Sequence, residues 1–172
     1  NGEIYNYIEL RNILNKDYRF KTNSDTEVLL AAYIKWKEKA FEKFHGMFSF
    51  AIFDNIEKKI ILCRDRFGVK PLFYHLDSQN NSFYFASEIK GLHAAGIDKN
   101  ENEATWSSFL NYGIYNNGEQ TFWENINLLK PGHLIELKFE NIISKKIIRW
   151  YNFEQSCLAI KNSPSFQNKS SS

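Results

Sequence analysis

The sequence predicts an α+β domain built in layers, with helices first and an antiparallel meander after them. Three observations carry that prediction. Before residue 40, apolar residues fall at helical spacing. From residue 46 onward, short apolar runs alternate with turn-forming residues. The composition is that of a packed core: 43% hydrophobic and 16% aromatic in 172 residues, enough for one sizeable domain and hardly for two.

The first helix is expected over Ile4 to Leu14, where Ile4, Tyr7/Ile8, Leu10 and Ile13/Leu14 share a face and Asn15 is a stop. Residues 15–23 are polar, with Tyr18 and Phe20 alternating, which suits a short strand or a loop. Ser24-Asp25-Thr26-Glu27 reads as a capping box, with Ser24 as cap, Glu27 reaching back, and two carboxylates at the helix's positive end. That second helix should run through Val28, Leu29, Ala32, Tyr33 and Trp36 to about Lys39. Met47 to Asp54 sets large residues at 48, 50 and 52 against small Ser49 and Ala51, a strand expected to be buried on both sides. Asn55 to Lys58 turns the chain into a hairpin partner at Lys59 to Arg64. Asp65 to Pro71 is a charged turn with Gly and Pro breakers, and strands follow at Leu72 to His75 and Ser82 to Ser87. Ile89 to Ala95 suits a short helix, and Ala104 to Tyr112 a longer one ending near Gly113. Pro131-Gly132 turns into a strand at Leu134 to Lys138, with Ile142 to Trp150 as a pairing candidate. Beyond Phe153 the residues become Ser, Asn, Lys and Gln, a composition that favours a disordered tail over 154–172.

Composition also excludes several classes of function. A formal charge of +2, with no Lys/Arg block among exposed aromatics, gives no basis for nucleic-acid binding. No apolar run approaches the roughly 20 residues that span a bilayer, and no signal-peptide pattern opens the chain. The two cysteines, Cys63 in an apolar run and Cys157 in the polar tail, make neither a disulfide framework nor a metal-ligand spacing. A reducing cytoplasm fits this usage. His45, His75, His93 and His133 share no spacing with a carboxylate or cysteine, and no phosphate loop or nucleophile elbow occurs.

Two polar clusters carry the chemistry. Asn1-Gly2 is a turn dipeptide whose amide and backbone N–H can both face a ligand oxygen, and Asp25 at a helix start can meet an ammonium group. Each alone reads as an ordinary turn or cap. Taken in order with Gly46 to Asp54, Arg64 to Tyr74 and Phe85 to Lys90, they form a set of five motifs. That set resembles the glutaminase domain of glutamine-hydrolysing asparagine synthetases, a class II glutamine amidotransferase. The likeness continues more weakly through Asn111-Tyr112-Gly113 and Leu129 to His133, reaching about Tyr151. The segments from 46 to 90 favour that branch over the phosphoribosyl-pyrophosphate and fructose-6-phosphate amidotransferases.

The resemblance implies an N-terminal-nucleophile hydrolase fold, antiparallel sheets between helix layers (αββα). It implies an amidotransferase domain over 1–140 and a linker over 141–153 toward an ATP-pyrophosphatase synthetase domain. In that family an N-terminal Cys attacks the glutamine amide with its own α-amino group as base. By the same resemblance Asn1 and Gly2 become the oxyanion hole, and Asp25 the holder of glutamine's α-ammonium. Glu3 and Ser24 are assigned to structure, and the Arg64 to Pro71 turn to fold and domain contact. L-glutamine and the synthetase domain are the implied partners, with a homodimer left open. ATP and Mg belong to the synthetase domain, and no cofactor or metal is expected within these residues. The nucleophilic Cys, the carboxylate-gripping Arg and the Ser-Gly-Gly-x-Asp-Ser loop of the family have no counterpart here, so a catalytically inactive fragment is expected. The implied activity of the parent is glutamine hydrolysis feeding ammonia to ATP-dependent amidation of aspartate. The alternatives are another carboxylate acceptor, such as a cell-surface sugar, or a non-catalytic truncated module.

Overall fold

The computed structural model describes residues 1–115, 118–139 and 142–162. In order they form β1 (Gly2–Ile4), α1 (Tyr7–Leu14), α2 (Asp25–Trp36), a 3-10 turn (Lys37–Lys43), β2 (Gly46–Asp54), β3 (Lys59–Arg64), β4 (Phe73–Asp77) and β5 (Ser82–Ala86). There follow α3 (Ile89–Ala94), α4 (Glu103–Tyr112), β6 (Asn127–Leu128), β7 (His133–Phe139), β8 (Ile143–Arg149) and α5 (Phe153–Lys161). Every strand pairing is antiparallel, in one sheet of order β1-β2-β3-β7-β8 and another of order β5-β4-β6.

Strand alternation builds the layers. Ile61 and Cys63 of β3 and Leu134 of β7 face a core shared with Leu10, Leu14, Val28, Leu29 and Phe41 of the α1–α2 side. Leu62, Ile135 and Leu137, on the opposite face of the same strands, meet Tyr74 of the second sheet and Leu72 and Leu129, which flank its strands β4 and β6. The short helix α3 packs on β4 and β5 and buries Leu92. Helix, sheet, sheet and helix thus stack as the resemblance implies. The first core is unusually aromatic, with Phe41, Phe44, Phe48, Phe50 and Trp150 linked by stacked and edge-on contacts, geometry that adds to plain area burial.

Several expectations need correction. The first helix begins at Tyr7 rather than Ile4, because Gly2–Ile4 pairs with Gly46, Met47 and Phe48 as a strand. Helix α2 stops at Trp36, where Lys37 adopts a φ of 52°. β2 is not buried on both sides throughout: Ala51 and Phe53 face solvent, Phe53 being 62% exposed. The expected linker at 141–153 holds β8, whose seven residues pair with β7, because its apolar Ile147 and Ile148 pack on the two cores. Part of the expected tail is helix α5, capped by the Asn152 side chain accepting from Gln155 N at 3.3 Å. The remainder of that tail, 163–172, lies outside the described residues.

Candidate active site

The site is assembled where β1 meets the start of α2. Asn1 and Ser49 exchange two backbone bonds, Asn1 N to Ser49 O at 3.0 Å and Ser49 N to Asn1 O at 2.8 Å. Tyr5 N donates to His45 O at 2.7 Å. Bonded and non-bonded pairs alternate along an antiparallel ladder, so Gly2 (opposite Phe48) and Ile4 (opposite Gly46) turn their N–H groups away from β2. Asp25 Oδ2 takes the Ile4 N–H at 3.0 Å. The Gly2 N–H leaves the strand on that same outer edge. Glycine is required here for backbone reasons: φ is +119°, and a Cβ would lie 2.0 Å from Met47 O.

On the facing side, Ser24 caps α2 by accepting from Thr26 N at 3.1 Å. That places Asp25 in the first turn, where the helix dipole favours a carboxylate. The second half of the expected capping box is built differently. Glu27 accepts from Lys21 N at 2.8 Å, Thr22 N at 2.7 Å and the Thr22 hydroxyl at 2.6 Å, while Ser24 N turns to Thr22 Oγ1 at 3.3 Å. The Thr22 hydroxyl, then the Lys21 N–H, hold the Glu27 carboxyl below its ordinary pKa.

Between these walls lies an open cleft of about 370 Å³ lined by Gly2, Glu3, Tyr7, Asn23, Ser24 and Asp25. Three other clefts are larger, about 490 Å³ along Arg11–Phe20, about 510 Å³ between α2 and β2, and about 380 Å³ beside Glu42, Arg66 and Trp150. In the first two the carboxylates are already neutralised, Asp17 by Lys35 and Asp54 by Lys37, and the third is lined by the Arg66 cation beside Glu42. Asp25 has no cationic partner among the described residues. A carboxylate beside an outward N–H, with no cation of its own, can take up an ammonium group at one end of a ligand and an oxygen at the other.

The structure thus brings Gly2 and Asp25 to one cleft, with Asn1 adjacent and held by its backbone. Glu3 and Ser24, read as structural, line the same cleft. Tyr7, read in the sequence only as a residue of the first helix's apolar face, and Asn23 also line it, and neither belongs to a motif that would mark it as a site residue. Cys63 is excluded as a nucleophile: it is fully buried in β3, and burial pushes its thiol pKa well up. Cys157 lies on α5 rather than in the cleft. The Nδ1 atoms of His75, His93 and His133 each pair with a backbone carbonyl, and no described group of three or more His, Cys, Asp or Glu is placed to hold a metal.

Behind the site stands the 64–71 turn. Asp65, 1% exposed, accepts from Phe67 N at 3.1 Å and Val69 N at 3.0 Å on Oδ1, and from Lys70 N at 3.0 Å and Phe48 N at 3.3 Å on Oδ2. Arg64 donates to the carbonyls of Lys70 at 2.8 Å, Gly68 at 2.6 Å and Leu129 at 2.5 Å. These charges are internal staples of the fold, and Phe48 is the ladder partner of Gly2.

Comparison with known proteins agrees with this geometry. Residues 1–150 match the family described as glutamine amidotransferase domain. The chain belongs to that family. It is 38% identical over 155 residues to asparagine synthetase [glutamine-hydrolyzing] 1 of Bacillus subtilis, covering 90% of this chain and 24% of that protein. It is 48% identical over 92 residues to putative asparagine synthetase [glutamine-hydrolyzing] 1 of Methanocaldococcus jannaschii, covering 54% of this chain and 16% of that one. The chain therefore spans about a quarter or less of the length of these relatives. Among solved structures, it superposes on the glutamine phosphoribosylpyrophosphate amidotransferase from B. subtilis with a TM-score of 0.61 at 21% identity, over 88% of this chain and 28% of that one. This amidotransferase chain thus shares the N-terminal-nucleophile fold, and its stronger sequence likeness lies with the asparagine synthetases. No helix among its described residues is long and apolar enough to cross a membrane.

Proposed function

We propose that this chain is the glutamine-binding part of a cytoplasmic asparagine synthetase, which hydrolyses glutamine and delivers the ammonia to ATP-dependent amidation of aspartate. The carrying observation is the cationless Asp25 carboxylate in one cleft with the outward Gly2 N–H. Asp25 holds the α-ammonium of L-glutamine. The Gly2 N–H and the Asn1 side-chain amide stabilise the oxyanion that forms as the amide carbonyl is attacked, donors typically worth about 3 kcal/mol each in such holes. The Ile4 N–H holds Asp25 Oδ2 in place, so glutamine binds in one orientation.

Neither cysteine of this chain fits the attacking thiolate, so the reading assigns the nucleophile to the parent enzyme outside these residues. ATP and Mg belong to its synthetase domain, for which the relatives' names are the support. Those names also favour aspartate over another carboxylate as acceptor.

The test is the full-length enzyme supplied with aspartate, ATP, Mg and either glutamine or ammonium. Glutamate and asparagine formed in equal amounts from glutamine support the reading. Amidation of a different carboxylate alone would replace the acceptor, and no glutamate release at all would refute the glutaminase.

A further inference from the structure

We propose that Glu27 is a positioning residue of the glutamine site, holding the 20–24 loop as the wall of the cleft opposite Gly2. The inference rests on the glutaminase reading above and adds a residue that does not touch the ligand.

Residues 20–23 belong to no helix or strand, yet Asn23 and Ser24 line the cleft. Something must hold that wall. Lys21 to Ser24 are exposed, so apolar burial does not. Three of the bonds to this loop end on the Glu27 carboxylate: Lys21 N at 2.8 Å, Thr22 N at 2.7 Å and Thr22 Oγ1 at 2.6 Å. The Thr22 hydroxyl passes the restraint on, since it also accepts from Ser24 N at 3.3 Å. Arg11 of α1 supplies a further anchor, donating to Thr22 O at 2.6 Å and stacking 4.3 Å from the ring centre of Phe20, which itself packs on the first core.

Glu27 lies two residues beyond Asp25 on α2 and faces the loop, whereas Asp25 faces β1. One helical turn therefore presents one carboxylate to the ligand side and another to the wall. Charge-assisted bonds to backbone N–H groups are the stronger kind. Without them Lys21 and Thr22 lose their ties to α2, the loop keeps the Arg11 anchor, the Ser24–Thr26 cap and the packing of Phe20 at its ends, and the middle of the wall must be ordered anew each time a ligand binds. That loss falls on binding, because none of the loop's residues supplies the oxyanion donors.

The test is steady-state kinetics of the full-length enzyme with Glu27→Ala, Glu27→Gln, Thr22→Val and Asp25→Ala, each with glutamine and with ammonium. Glu27→Ala should raise the KM for glutamine about tenfold, the equivalent of roughly one charge-assisted hydrogen bond, with kcat and ammonium-dependent synthesis changed less than about twofold. Glu27→Gln keeps one acceptor oxygen and should fall between it and the native enzyme. Thr22→Val, exposed and harmless to the core, should also raise KM. An unchanged KM in both Glu27→Ala and Thr22→Val overturns the proposal. So does parallel loss of glutamine and ammonium activity with a lowered melting temperature, which marks a structural residue only. If Asp25→Ala stops glutamine use while the Glu27 and Thr22 variants are normal, only this inference fails. If Asp25→Ala uses glutamine normally, the glutaminase reading fails with it.

Discussion

Replacing Asp65 by Ala should destabilise this domain more than any surface change, although Asp65 sits in a sequence of turn residues. The substitution removes four acceptor contacts, to the N–H groups of Phe48, Phe67, Val69 and Lys70. A buried donor left unsatisfied costs about 1–3 kcal/mol, so the nominal loss is roughly 4–12 kcal/mol by that rule. The lower part of that span applies here. Phe67 and Val69 are 63% and 58% exposed, so water can reach their amides once the carboxylate is gone. Phe48 is only 3% exposed, and its amide has no such access. Arg64, 6% exposed, loses the neighbouring charge that offsets its burial, which already pulls its pKa down. We expect a loss of about 3–5 kcal/mol, a large fraction of a typical domain's total. Asp65→Asn retains one acceptor oxygen and should lose about half as much. Equilibrium urea unfolding followed by tryptophan fluorescence reads this directly, because Trp150 donates to Arg64 O at 3.2 Å and stacks on Phe48. A shift worth less than about 1 kcal/mol for Asp65→Ala would refute the claim that this carboxylate staples the turn to β2.

Three further outcomes follow from the same geometry. Asp25→Asn in the full-length enzyme should remove glutamine-dependent synthesis and leave ammonium-dependent synthesis intact; loss of both would make Asp25 a structural tie to Ile4. Gly2→Ala should displace β1, since the added Cβ would sit 2.0 Å from Met47 O, and should cost about 1–3 kcal/mol together with glutaminase activity; normal kinetics would show that the strand can shift without harm. Asp54 has its pKa depressed, first by the Glu57 N–H and then by Lys37, so its stabilising contribution is complete above the unfolded carboxyl value and lost as pH falls through the lower folded one. The stability gap between native and Asp54→Asn protein should therefore hold from neutral pH down to about pH 4 and narrow below it; a gap unchanged at lower pH contradicts the assignment.

Much of this architecture was legible because period and punctuation agree. Helix α2 carries its own cap in Ser24, and β2, β3, β4 and β5 are each bounded by turn residues. β1 was not legible: three residues including a glycine leave no periodicity, and the strand exists only because Gly46 to Phe48, more than forty residues on, pairs with it. The same limit applies to Glu27. A local capping rule sends its carboxylate to Ser24 N, but Thr22 Oγ1 occupies that N–H and frees Glu27 for the loop. For α5, a polar composition hid an Asn152 cap that starts a helix.

The site shows where motif reading ends and tertiary structure begins. Asn1, Gly2 and Asp25 could be singled out from the ordered motifs, because residue type and order are properties of sequence. That Gly2 turns its N–H outward is a property of ladder phase, set by the Asn1–Ser49 and Tyr5–His45 bonds. That Asp25 has no cationic partner among the described residues is a property of its neighbours. Both depend on β2 being held in place, and the Phe48 amide opposite Gly2 is fixed by Asp65 at 3.3 Å, with Phe48 O accepting from Asp65 N at 2.8 Å. A charged turn therefore sets the register of the strand that aims the donor. The fold residues and the site residues of this domain are one bonded chain, so loosening the 64–71 turn should weaken glutamine use before it abolishes folding.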